Sequence, residues 1–233
     1  MCRPPASSCS VLGLDPSDWS KESLLVRPAW FDKQLDLFVA AVRCAANGDR
    51  RRSEKLLATV RSEELKNWYR DHALNSGRIR SAHFRSSVGT KPTLISVRGK
   101  PSASIVSETF KRDGYRCRYC GLRVIPKKVL QAFQQVVGKD SFPMPKPDGG
   151  RHGAALVFIA SPEHVGPRCA GGSHNVENLI TACWSCQFGK WYFTLEHLGL
   201  DDPRLRPPMP SDDWDGLVRL LPALRRSAKL ARP

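Results

Sequence analysis

Two cysteine pairs constrain this chain more than any other feature: Cys117-Arg-Tyr-Cys120 with Gly121 directly behind it, and Cys183-Trp-Ser-Cys186, which begins 63 residues after Cys120. Two thiolates three positions apart can grip one metal at a chain turn, and a following glycine lets backbone amides approach the sulfurs. Two such pairs predict a tetrahedral four-cysteine zinc site that ties distant parts of the chain to one point. Cys2, Cys9, Cys44 and Cys169 lack partners at ligand spacing and read as ordinary thiols. A disulfide framework is the competing use of eight cysteines, but it belongs to oxidising compartments. The opening MCRPPASSCS lacks the apolar run of a signal peptide, and no stretch of about 18 apolar residues exists to span a membrane. A cytoplasmic protein with no membrane partner is therefore expected.

With 233 residues, 41% of them hydrophobic and 25% charged, the chain has the composition of one or two globular domains. Lys and Arg number 37 against 22 acidic residues, a net charge of +15 that commonly marks a polyanion partner such as nucleic acid. Residues 1–25 carry no hydrophobic period and read as a flexible tail. Phe31, Leu35, Phe38, Val39 and Val42 recur at helical spacing, a second helix is predicted over 52–60, and a third runs from a Ser62 cap to a stop at Gly77. Residues 26–77 thus form a small helical module, a candidate surface for a protein partner or a second copy of the chain. Residues 78–105 read as a basic linker whose Arg78, Arg80 and Arg85 lie along a phosphate backbone. The main domain spans 106–205, with a helix predicted over 126–137, and residues 206–233 add an amphipathic C-terminal helix with a basic tail.

Between the cysteine pairs lies ALVFIASPEHVGPRCAGGSHNVENLITACWSCQFGK. Ala154 to Ala160 reads as a buried strand, Glu163-His164 follows it, Gly171-Gly172 makes a loop, and Asn178-Leu179 opens the segment entering the second cysteine pair. Here the sequence resembles the HNH endonuclease family, whose signature is an acid or histidine before His, a Gly-Gly loop, Asn-Leu, and Cys-x-x-Cys followed by Asn or His. The separations from His164, 14 residues to Asn178 and 23 to Gln187, are those of the family, and the resemblance covers about residues 106–200.

The resemblance implies an α+β fold: a ββα-metal, treble-clef-like nuclease domain with a four-cysteine zinc site, preceded by the small helical domain. It implies roles as well. His164 would be the general base, Glu163 and Gln187 the ligands of a catalytic Mg2+ or Mn2+, and Asn178 the residue that holds the loop and orients His164. Lys190, counted with His164 and Asn178 in the catalytic group, and Arg168 would contact phosphate. Cys117, Cys120, Cys183 and Cys186 would hold structural Zn2+. The implied activity is hydrolysis of phosphodiester bonds in double-stranded DNA, leaving a 5′ phosphate. His152, His174 and His197 have no such frame and read as structural. One departure stands out: the family places Asn or His where this chain has Gln187, whose amide oxygen sits on one more methylene. The alternative is accordingly a catalytically impaired, zinc-containing nucleic-acid-binding or assembly protein.

Overall fold

The computed structural model describes residues 8–84, 99–144, 150–208 and 212–231. Arg85, Lys91 and Arg98 of the basic segment lie outside these residues. The protein is α+β and mostly helical, and the described residues include one two-stranded antiparallel sheet. In chain order the elements are α1 (Trp30–Ala46), α2 (Arg50–Ala58), α3 (Ser62–Phe84), α4 (Ala103–Arg112), α5 (Lys127–Val137), α6 (Gly153–Val157), β1 (Ala160–His164), β2 (Leu179–Cys183), α7 (Trp184–Lys190) and α8 (Leu221–Leu230). Among the described residues no helix is long and apolar enough to cross a membrane.

The stripe of α1 is buried as its spacing predicts, with Phe31, Leu35, Phe38 and Val42 at most 1% exposed. Phe38 meets the rings of Phe133 and Phe142, each at 5.3 Å, which ties α1 to α5 and the loop after it. Asp49 caps α2 by accepting from the Arg52 amide at 2.9 Å, and Ser102 caps α4 through the Ile105 amide. The helices of residues 26–77 do not stand apart as a module. Leu24, Phe31 and Leu65 share one continuous core with Phe133, Phe158, Ile180 and Leu224.

Helix α3 runs past Gly77 to Phe84 instead of stopping there. Gly77 is where α3 meets α7: a Cβ at that position would lie 1.7 Å from the carbonyl oxygen of Gly189. The residue that reads as a helix stop is therefore a helix–helix contact point, because the missing side chain lets two backbones touch. Through it α3 props up the short α7.

The strand expected over 154–160 does not form there. Gly153–Val157 is a short helix, α6, and the strand begins at Ala160. A run that is apolar on every side carries no period to separate a buried strand from a buried helix turn. The true strand, ASPEH, contains Pro162, which an edge strand tolerates because one side of its ladder is unpaired. β1 pairs with β2 in the register Ala160 to Cys183 and His164 to Leu179. Asp113, 2% exposed, fixes β2 from behind, since its carboxylate accepts from the Thr181 amide at 2.6 Å. Arg112 donates to the Leu179 carbonyl at 2.7 Å.

Candidate metal centre and adjoining cleft

The four paired cysteines converge, their sulfurs all within 4.8 Å of one another. Among the described residues they are the only set of three or more His, Cys, Asp or Glu side chains gathered so closely. Cys120 and Cys183 lie 3.8 Å apart; a zinc tetrahedron with Zn–S bonds of about 2.3 Å has edges of about 3.8 Å. The first pair sits on a turn in which the Gly121 amide donates to the Cys117 carbonyl and Gly121 adopts φ 70°. The second pair straddles the junction of β2 and α7, where the sulfur of Cys183 accepts from the Cys186 amide at 3.4 Å and so caps the helix. Cys117, Cys183 and Cys186 are buried. Burial raises the Cys117 thiol, but hydrogen bonds from Cys120, Cys183 and Cys186 outweigh it and hold Cys117 well below the usual thiol range. The hydrogen bonds that Cys183 and Cys186 give to Cys117 and Cys120, with burial, push them well above it. A divalent metal bound there would ionise the sulfurs that hold it. The donor set fits zinc.

At the other end of the hairpin a cleft of about 440 Å³ opens between β1 and α7, lined by Glu163, His164, Arg168 and Gln187 together with the rings of Phe188, Trp191 and Tyr192. Strand alternation separates the two neighbours on β1: Glu163 is 4% exposed, whereas His164 is half-buried. Burial pushes the Glu163 carboxyl up to about 7, against the pull of Lys190, whose Nζ lies 3.1 Å from Oε1. Burial brings the His164 imidazole down to about 4, with His174, Arg168 and Lys190 acting in the same direction.

The link that sequence reasoning missed is His174. Its Nδ1 lies 2.9 Å from Nε2 of His164, so the two imidazoles share a hydrogen bond across the loop. His174 has no motif spacing to mark it, and only its place just after the Gly-Gly turn hints at proximity. Asn178 holds that loop shut from within. Its side-chain oxygen accepts from the Gly166 amide at 2.8 Å, and its nitrogen donates to the carbonyls of Gly166 and Ser173 at 3.0 and 2.9 Å.

Two cations expected to contact phosphate are buried. Lys190 has a fully buried side chain, bonded to Glu163 and to the His164 carbonyl at 2.8 Å, so it braces the site and does not reach a ligand at the surface. Arg80 is likewise fully buried on α3, with its guanidinium over the Trp19 ring and donating to the Ser20 carbonyl. The extended basic linker that would have exposed it is helix as far as Phe84. Arg78, by contrast, reaches the cleft's edge, 5.7 Å above the ring of Trp191. A cavity of about 820 Å³ lies behind the first cysteine pair, and there Arg118 is satisfied internally, donating to the carbonyls of Pro203 and Pro207.

The cleft offers one carboxylate, one carboxamide and one imidazole. The carboxylate among them is the one paired with Lys190. Compared with protein-family models, curated proteins and solved structures, the chain matches none of them.

Proposed function

We propose that the chain is a metal-dependent nuclease of the HNH type, hydrolysing phosphodiester bonds with DNA as the expected substrate. The observation that supports this most is convergence. Glu163, His164 and Gln187, which the sequence motif singles out, border one cleft. They do so on an antiparallel strand pair followed directly by a helix, with the four-cysteine cluster at the strand–helix junction. That order of elements accords with a ββα-metal core. The net charge of +15 favours a polyanion.

In this reading Nε2–H of His164 donates to Nδ1 of His174, which leaves Nδ1 of His164 unprotonated and able to accept a proton from water. Asn178 keeps the loop, and with it the His164–His174 contact, in register. Arg168 at the cleft wall donates to a phosphate oxygen as a charge-assisted contact. Lys190 holds Glu163 and the His164 backbone at fixed separation. A divalent cation held by Glu163 and Gln187 would supply charge stabilisation for the leaving oxygen.

A second reading, a zinc-braced nucleic-acid-binding protein without catalysis, is favoured by one observation: the carboxylate of Glu163 is already neutralised by a buried ammonium. Plasmid nicking with and without Mg2+ or Mn2+ separates the two, because the binding protein retards DNA without cutting it.

A further inference from the structure

The cleft lined by Glu163 and His164 is also lined by aromatic side chains open to solvent. Phe188 is 38% exposed, Trp191 48% and Tyr192 39%. Scattered exposed apolar residues are ordinary; three aromatic rings on the rim of a charged cleft are not scattered. Phe188 is anchored edge-on to Tyr69 and Trp184, and the rings of Trp191 and Tyr192 stand 4.6 Å apart. Trp191 also adopts φ 50° and ψ −123°, a left-handed conformation that strains a bulky residue and suits glycine. The strained turn is fixed by the Trp191 amide on the Gln187 carbonyl at 2.8 Å and the Phe193 amide on the Lys190 carbonyl at 3.0 Å. The chain thus keeps an indole at a position where glycine would be easier, and sets it in solvent with the Arg78 guanidinium over it.

We infer that this rim is a stacking platform for an unpaired nucleobase, so that the substrate of the site is single-stranded or locally opened DNA. The inference deepens the nuclease reading and rests on it for the reaction, though not for the binding. Every base has a π face, and aromatic side chains stack on it without regard to sequence. A closed duplex keeps those faces inside its own stack and shows only base edges in its grooves. Arg78 and Arg168 flank the rings with positive charge, complementary to the phosphates on either side of a stacked base. A cleft of about 440 Å³ has the size of a small-molecule pocket and suits one nucleotide.

The test uses full-length, zinc-loaded His164→Ala protein without added Mg2+ or Mn2+, titrated with a fluorescein-labelled strand of ~12 nucleotides and with the same sequence as a blunt duplex. The single strand is expected to bind more tightly, and Trp191→Ala to weaken its binding on the order of 10-fold or more. Trp191→Phe should keep most of the affinity. Trp191→Gly removes the backbone strain, so it should melt no lower than its parent and yet lose the same affinity. Equal or tighter duplex binding overturns the inference, as does a folded Trp191→Gly protein that binds the strand like its parent. Wild type that cuts duplex plasmid without this preference would remove the inference and keep the nuclease reading. Wild type that cuts nothing, yet binds the strand through Trp191, would do the reverse.

Discussion

The ammonium of Lys190 lies 3.1 Å from Oε1 of Glu163, and neither side chain is more than 6% exposed. The pair joins the last residue of α7 to β1, so the geometry of the cleft depends on a buried ion pair. Removing one partner of such a pair leaves an uncompensated charge in the interior and costs about 3–5 kcal/mol. Lys190→Met is expected to lower unfolding free energy by that amount in urea titration, and Glu163→Gln combined with Lys190→Met to recover part of it. A Lys190→Met protein as stable as wild type would show that the pair does not hold the site.

The loop between the strands should fail with Asn178. Its side chain makes three part-buried hydrogen bonds to loop backbone, and each such bond lost costs about 0.5–1.5 kcal/mol. Asn178→Ala is expected to reduce the melting temperature and the nicking rate together. Gly172→Ala should do the same for a different reason, since its Cβ would lie 1.7 Å from the Gly166 carbonyl oxygen. Unchanged melting in both variants would mean that the loop is not built as described.

Metal analysis is expected to find one tightly held zinc per chain, lost in Cys183→Ser. Structural zinc contributes on the order of 10 kcal/mol, comparable to the whole stability of a domain. A strong chelator should therefore unfold the protein at room temperature, and added zinc should restore it. A chelated protein that melts like the untreated one contradicts the four-cysteine site.

Acid stability should depend on His152. It is 8% exposed and caps α6, its Nδ1 accepting from the Ala154 amide at 3.2 Å. Burial lowers its imidazole from 6.5 to about 4, with Lys66 adding to the effect and Glu63 opposing it. Between these values the unfolded chain binds a proton that the folded one refuses, so stability is complete above pH 6.5 and falls as pH drops towards 4. The loss is at most about 3 kcal/mol. His152→Asn keeps an acceptor for the cap and cannot titrate, so its stability difference between neutral and acid pH should be smaller than that of wild type. Equal differences would show that His152 does not control this limb.

How much of this was legible in the sequence follows from what each residue type encodes. The cysteine pairs were readable because metal ligation needs fixed spacing, and their convergence across 63 residues is what that spacing demands. The stripe of α1 was readable from its period. The strand was not: Pro162 and the polar SPEH sequence lack β character, and the apolar run before it forms α6. Gly77 misled because a glycine that ends a helix and one that lets two helices touch look alike until the partner, Gly189, is placed. Arg80 and Lys190 were assigned to a ligand by charge, whereas the fold sealed both away. His174 reaches His164 by tertiary approach, which no local pattern records, whereas the rim aromatics crowd within residues 188–192 and only their exposure is set by the fold.

The central claim is that the cleft at Glu163, His164 and Gln187 hydrolyses phosphodiester bonds, and supercoiled plasmid tests it most directly. With Mg2+ or Mn2+ the wild-type protein is expected to convert it to open circles. His164→Ala should slow this by at least about 100-fold, the loss expected for a general base. Within the same assay Gln187→Asn should keep or raise the rate and Gln187→Ala reduce it. Wild type and His164→Ala that are indistinguishable under every divalent ion would contradict the claim.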